Sequence, residues 1–358
     1  MPARKVVVAM SGGVDSSVAA ALLREQGYDV SGVMLSLWAD PDTEFENRCC
    51  ASNAVALARR VAAQLEIPFQ LVNAADEFHA AVVEPMIRAY ASGRTPNPCL
   101  DCNRSVRWDF MLHRILETGA DFLATGHYAQ IGCADNLHTL LRGADPQKDQ
   151  SYVLSVLGQE QLAHTMFPLG AMTKSDVRSH ARRLQLPVAE RPDSQDLCFV
   201  AGKDYRRFLR KYNPGGFVPG PIRNRCGELL GEHTGLAGYT VGQRKGLGVS
   251  SPSPLYVLAI NVVENTLTVG TADELGHRAL IAMDARWVAG SPPAASFRAD
   301  VKIRYQSVGE PAEVILDGNG GVRVLFAHPL RDITPGQAAV FYQGDLCLGM
   351  AVIREACA

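Results

Sequence analysis

The chain opens on a short apolar run, RKVVVAM, cut by Ser-Gly-Gly and followed by the Ala-rich SSVAAALLREQ. The first stretch is short and β-branched and predicts a buried strand. The second predicts a helix that Gly27 ends as its C′ residue. The alternation then repeats. YDVSGVMLSLW, FQLVN and DFLATGHY predict strands, while SNAVALARRVAAQLEIP, DEFHAAVVEPMIRAYASG and SVRWDFMLHRILETGA predict helices, the middle one bent near Pro85. Strands alternating with helices imply an α/β layer with a parallel sheet. The pattern runs on through GQEQLAHTMF and TKSDVRSHARRLQL and stops at about DSQDLCFV.

Past Lys203 the texture changes. KDYRRFLRKYNPGGFVPGP predicts a basic helix and a Pro/Gly-rich linker. From about Arg223 onward helical periodicity is nearly gone. Short runs such as LYVLAINVV, TLTVG, RADVKIRY, AEVILD and GVRVLFA, separated by turns, predict small β-barrels. The expected organisation is a catalytic unit over 1–203, a small central unit over 204–275 and a C-terminal β-barrel over 276–358.

Composition narrows the picture only slightly. The 358 residues are 47% hydrophobic, ordinary for a globular protein. No apolar run approaches the roughly 18 residues of a membrane span, and Val6–Met10 is too short for a signal peptide, so a cytoplasmic protein without a membrane partner is expected. The net charge of −2 means that any nucleic-acid site must be a local basic patch. Nine cysteines argue for reactive thiols or metal ligands, since a cytosolic chain of this size seldom carries a disulfide framework.

The loop MSGGVDSSVAA carries the first chemistry. A Gly-rich turn from strand to helix aims unpaired backbone N–H groups, and the positive end of the helix dipole, at an anion. A Walker loop adds a lysine for the β/γ-phosphates. This loop has none; it offers the hydroxyls of Ser11, Ser16 and Ser17 and a carboxylate, Asp15. An acid inside a phosphate loop repels its ligand unless Mg²⁺ stands between them. The loop therefore suits a pyrophosphate leaving group held with a metal. The string resembles the motif of the PP-loop ATP pyrophosphatases, which implies ATP cleaved to AMP and pyrophosphate.

The cysteines indicate the acceptor. Cys99 and Cys102 form a C-x-x-C pair ahead of a helix, with Arg94, Arg104 and Arg107 nearby, a setting that favours thiolate. Cys198 lies at the far end of the α/β region. A zinc site on the pair needs two more ligands, and the adjacent Cys49 and Cys50 point in different directions.

MSGGVDSSVAA, GRTPNP with its following CN, TGHYA, LLRGADPQKDQSYVL, DSQDLCF, YTVGQRKGLG and TPGQAAVFY, taken in order over nearly the whole chain, resemble the blocks of the tRNA-specific 2-thiouridylases. That resemblance implies an N-terminal PP-loop domain, a small central domain and a C-terminal β-barrel. It also implies adenylation of O2 of the wobble uridine, position 34, in the anticodon stem-loop of tRNA, followed by exchange of that oxygen for sulfur. By the same resemblance Cys102 matches the nucleophile. Cys198 matches the carrier of a persulfide delivered by a sulfur-relay donor protein or a cysteine desulfurase, the two thiols meeting as a disulfide in turnover. Ala9, Met10, Ser11, Gly12, Gly13, Val14, Asp15, Ser16, Met34 and Gly126 match positions around ATP. His127, Lys148, Asp149, Gln150, Arg304, Tyr305 and Gln337 match positions that touch the tRNA. Position 99 is often aspartate in that family; with Cys99 here, two readings stand. Cys99 is an auxiliary thiol beside persulfide chemistry, or Cys99, Cys102 and Cys198 hold a [4Fe–4S] cluster.

The residues themselves support an RNA substrate. Lys203, Arg206, Arg207, Arg210 and Lys211 cluster on the predicted helix with Tyr205, Phe208 and Tyr212 between them, and Arg223, Arg225, Arg244, Lys245 and Arg304 extend the basic character. A base inside a loop must be turned outward to react, which predicts a clamp, with His127 and Tyr128 as candidates. Asn97 either orients the base or caps a turn. Two rivals remain at this level. A small-molecule adenylating synthetase explains the loop but neither the paired cysteines nor the basic β-rich half. A non-enzymatic metal- or cluster-binding RNA module leaves the loop unexplained.

Overall fold

The computed structural model of the chain describes residues 3–40, 52–192, 197–200 and 204–357. Cys49, Cys50 and Lys203 lie outside them. Strands β1 (Lys5–Ala9), β2 (Asp29–Ser36), β3 (Phe69–Asn73), β4 (Phe122–Thr125) and β7 (Thr165–Met166) form one parallel sheet in the order β3-β2-β1-β4-β7. The chain leaves β1 towards β2 and β3, then crosses back to β4 on the other side. That reversal opens a crevice at the carboxyl ends of β1 and β4, where ligands bind in open α/β sheets. Both strands end there in glycine turns, Ser11–Gly13 and Gly126.

Local physics explains the helices. Helix Val14–Glu25 ends at Gln26, and Gly27 follows in the left-handed conformation at φ +85°. The 75–91 helix, expected to bend near Pro85, absorbs that residue with a π turn over His79–Val83, since Pro85 has no N–H for the ladder. A longer π segment, Cys102–Leu112, lies in the helix that begins at Pro98.

The β-rich half forms two units. Strands β8 (Gly220–Arg223), β9 (Leu229–His233), β10 (Tyr256–Asn261) and β11 (Thr266–Gly270) make a four-stranded sheet in the order β10-β11-β8-β9. Strands β12 (His277–Trp287), β13 (Ser296–Lys302), β14 (Glu310–Leu316), β15 (Val322–Leu330), β16 (Ala338–Gln343) and β17 (Leu346–Cys357) close into a six-stranded barrel through the pairing of β12 with β17. The expected architecture, a parallel α/β layer followed by a small central unit and a C-terminal β-barrel, is what the fold shows.

One hairpin was not expected. Strands β5 (Ala129–Ala134) and β6 (Leu137–Arg142) are joined by Asp135 and Asn136, both at positive φ, the geometry of a two-residue primed turn. They lie within the α/β region of the sequence, yet β6 pairs with β17, Leu141 opposite Leu346 and Leu140 opposite Cys347. The barrel sheet thus continues into the α/β unit, and Leu140, Tyr152, Ala338, Val340 and Tyr342 share one core.

Candidate active site

The Ser11–Ser16 loop is built tightly. Gly12 sits at φ +70°, and a Cβ there would come within 2.4 Å of the Ala54 carbonyl oxygen, so only glycine fits. The Ser11 N–H donates to Ser16 Oγ at 3.1 Å, and Ser17 Oγ donates to the Gly13 carbonyl at 2.8 Å. Arg191 donates to the Gly12 carbonyl at 2.6 Å. Met10, Val14 and Met34 are buried together in the core beneath the loop. Gly126, 110 positions beyond Ser16 in sequence, packs on the loop's helix: a Cβ there would lie 2.6 Å from the Ser16 nitrogen. Of the nucleotide positions implied by resemblance, Ala9 to Ser16 and Gly126 therefore gather at the crevice between β1 and β4, while Met34 is buried on neighbouring β2.

A lysine from another helix meets the loop's acid. Lys174, first residue of helix Lys174–Arg183, places Nζ 2.7 and 2.9 Å from the two oxygens of Asp15. The Tyr128 hydroxyl donates to Asp15 Oδ1 at 2.8 Å. Sequence reasoning missed Lys174 and Arg191, because nothing in TKSDVRSHARRLQL or RPDSQD points at residue 15. As for Mg²⁺, Asp15 supplies one carboxylate in the loop, a donor set that fits an ion taking most of its oxygens from phosphate and water.

The turn Thr125–Tyr128 links this loop to the cysteine helix. His127 is buried, its ring 5.9 Å from Trp108. Arg107 lies 3.3 Å from Nε2. Guanidinium can only donate, so Nε2 accepts and Nδ1 carries the proton toward Thr125 Oγ1 at 2.7 Å. Burial, reinforced by the Arg107 charge, holds the imidazole well below its ordinary pKa. His127 and Tyr128, the candidates for the base clamp, are 8% and 2% exposed and packed at the strand end.

A stability prediction follows from that imidazole. The folded chain keeps it neutral, while the unfolded chain protonates near 6.5. Its contribution is complete above that pH and shrinks as pH falls below it, by at most about 1.4 kcal/mol per pH unit. Urea unfolding at pH 7.5 and 5.5 should show a loss for the parent chain that is smaller in His127→Asn; equal losses in both would rule His127 out as the source.

Cys102 and Cys198 meet at one apolar cluster. Cys102 is buried in it, 8% exposed, among Phe78, Val106, Phe199 and Phe208, and Cys198 packs against it half-buried. Phe199 explains the placement: its ring lies 5.3 Å from Phe78 and 5.8 Å from Phe208, anchoring the residue next to Cys198. Cys99 is exposed one helical turn before Cys102. Between them Asp101 is pushed up to about 6 by burial, against the pull of Arg104. Among the described residues no group of three His, Cys, Asp or Glu is arranged to hold a single metal ion.

Asn97 caps the cysteine helix, its Oδ1 accepting the Cys99 N–H at 3.2 Å. Residues from all three units hold the segment before it. Gln337 donates to the Thr95 and Pro96 carbonyls at 2.9 and 3.1 Å, and Thr95 Oγ1 reaches Thr240 Oγ1 at 3.1 Å. Arg304 donates to Thr334 Oγ1 and the Val241 carbonyl. Tyr305 stands near Asp149 and Cys99, its hydroxyl pushed up to about 12, chiefly by burial. Asp149 is buried; its Oδ1 accepts the Gly143 and Ser151 N–H groups, and Gln150 Oε1 accepts the Tyr128 N–H. Lys148 is half-buried beside them. Asn97, Tyr305 and Gln337, far apart in sequence, thus meet at the cysteine loop, with Arg304 tying Val241 to Thr334 behind it, while Asp149 and Gln150 brace the Tyr128 turn.

Comparison with known proteins agrees with this anatomy. Family models match residues 4–202 (tRNA methyl transferase HUP domain), 206–271 (tRNA methyl transferase PRC-barrel domain) and 277–353 (aminomethyltransferase beta-barrel domain). The tRNA-specific 2-thiouridylase MnmA of Roseiflexus castenholzii is 46% identical over 96% of this chain and 98% of its own length. The protein of the same name from Chloroflexus aurantiacus is 48% identical over 96% of each. Among solved structures, the NMN synthetase of Francisella tularensis is 15% identical with a TM-score of 0.36, covering 60% of this chain and 78% of that one, too slight a likeness to bear on function. The full-length identity to these relatives settles the family: the chain belongs to the tRNA-specific 2-thiouridylases.

Proposed function

We propose that the chain is an ATP-dependent tRNA-uridine 2-sulfurtransferase that converts the wobble uridine to 2-thiouridine. The observation that carries this is the Thr125–Tyr128 turn. On one side Gly126 and Tyr128 touch Ser16 and Asp15; on the other His127 meets Arg107 of the cysteine helix. One turn thus joins a loop for cleaving ATP to a pair of thiols, which are the two halves of an oxygen-for-sulfur exchange.

In the first step the uridine O2 attacks the α-phosphorus and pyrophosphate leaves. Backbone N–H groups of Ser11–Ser16 and the helix N-terminus receive the departing charge, in the manner of preorganised oxyanion sites. Mg²⁺ on Asp15 would neutralise the phosphates. In the second, sulfur arrives as a persulfide on Cys198, from a sulfur-relay donor protein or a cysteine desulfurase. The Cys102 thiolate attacks the inner sulfur, forming the Cys102–Cys198 disulfide and expelling hydrosulfide. Hydrosulfide adds to C2 of the adenylated uridine and AMP leaves; an external thiol then reduces the disulfide. Asn97, Lys148–Gln150, Arg304, Tyr305 and Gln337 shape the mouth through which the base enters.

The basic face supports an RNA substrate. A hollow of about 440 Å³ is lined by Arg206, Gln243, Lys245 and Arg304. Helix Tyr205–Tyr212 carries Arg206, Arg207 and Arg210 beside it. Reversing charge at Arg207, Arg210 and Lys245 should weaken tRNA binding and flatten its salt dependence by about one unit of slope per lost phosphate contact. Unaltered affinity at low salt would make this face a mere solvated surface. The overall reading is tested by pyrophosphate release from ATP, which tRNA carrying a wobble uridine should stimulate and tRNA lacking it should not.

A further inference from the structure

Asp15 has a problem before ATP arrives. It occupies the second position of helix Val14–Glu25, inside a loop shaped for phosphate, and any divalent cation bound with the nucleotide needs its oxygens. Yet both oxygens are engaged: Lys174 Nζ bridges them at 2.7 and 2.9 Å, and the Tyr128 hydroxyl takes Oδ1 at 2.8 Å. The lysine is only 13% exposed, so water screens the pair weakly.

Lys174 is also held where it can swing. Its own N–H donates to Asp145 Oδ2 at 2.9 Å, and Thr173 caps its helix by accepting the Asp176 N–H. The backbone is thereby fixed, while the four methylenes give the ammonium a reach of several Å. Gly126 and Arg191 keep the loop itself in place, through close backbone contact and a bond to the Gly12 carbonyl.

We infer that Lys174 is the lysine this phosphate loop lacks, parked on Asp15 in the nucleotide-free chain and transferred to the β/γ-phosphates when ATP brings a divalent cation to Asp15. The exchange swaps cation for cation on the carboxylate and adds one positive charge to the polyphosphate, so the loop is never left with an unpaired acid. It also makes metal binding wait for nucleotide, because a bare cation must displace the ammonium with no phosphate to receive it. This rests on the ATP-cleaving reading above.

The test uses the full chain and two binding measurements, without turnover. Mn²⁺ binding followed by electron paramagnetic resonance in the absence of nucleotide should tighten in Lys174→Gln by about tenfold, since Asp15 is released. Binding of ATP with Mg²⁺, measured by calorimetry, should weaken by about tenfold in the same variant and recover in Lys174→Arg. Unchanged Mn²⁺ affinity in Lys174→Gln overturns the parking, and unchanged ATP affinity overturns the transfer. A parent chain that binds no ATP at all refutes the ATP reading instead, so the two failures are distinct. Asp15→Asn serves where Lys174→Gln does not fold: it should bind Mn²⁺ with ATP poorly while retaining much of its affinity for ATP alone, and equal loss of both overturns the exchange.

Discussion

Cys198→Ser is expected to form no 2-thiouridine while still releasing pyrophosphate from ATP in the presence of tRNA. Its phosphate loop is intact, so adenylated tRNA should accumulate or hydrolyse slowly. Cys102→Ser should differ in kind. It should accept sulfur on Cys198, seen by mass spectrometry as the gain of one sulfur atom, and fail to pass it on. Placement supports the division: Cys102 is buried among Phe78, Val106 and Phe199, a dry setting for a thiol awaiting one partner, whereas half-buried Cys198 can be reached by a donor. Forming their disulfide requires Cα atoms within about 7 Å. Cys99→Ala should lower activity only modestly. Complete loss in that variant, together with loss of an iron signal, would replace the persulfide scheme by cluster chemistry.

Asp15→Ala should abolish tRNA-stimulated pyrophosphate release, with a loss of roughly 100-fold or more, the scale seen when a preorganised electrostatic contact is removed from a transition state. Ser11→Ala should fall in the same direction, since Ser11 and Ser16 are linked through N–H and hydroxyl across the loop. Both variants should bind tRNA as the parent does, because the basic face lies on other units. Pyrophosphate release that survives Asp15→Ala at the parental rate would end the assignment of this loop. Loss of tRNA binding alongside would mean the variant had not folded.

The parallel sheet was legible because buried strands and amphipathic helices write different periods, and the loop because glycines and hydroxyls between strand and helix have few other uses. The meeting of Cys102 with Cys198 was legible only through resemblance; no spacing reveals that Phe199 seats on Phe78 and Phe208. Hairpin β5–β6 was missed although Asp135-Asn136 marks its turn, for the run AQIGCA alternates too weakly to stand out beside the helices around it. Lys174 was invisible for a different reason. It reads as the first residue of a helix with a capping box, and its meeting with Asp15 is a product of how that helix packs on the first. His127 and Tyr128 read as a clamp because a base turned out of its loop needs a ring to hold it; in the fold both are buried, His127 against Trp108 and Arg107 and Tyr128 on Asp15.

The pairing of β6 with β17 sets an order of events during synthesis. Leu140 and Leu141 belong to the part of the chain made early, and Leu346 and Cys347 to the part made late. Until β17 leaves the ribosome, the hairpin presents an open ladder edge, and Tyr152 lacks the Ala338 carbonyl that its hydroxyl bonds at 2.9 Å. The phosphate-loop layer can form its parallel sheet while translation continues, but the wall of its active-site unit is finished only by the barrel's closing strand. A nascent chain halted before that strand would carry the phosphate loop beside an unpaired hairpin edge, with the Tyr152 hydroxyl short of its carbonyl.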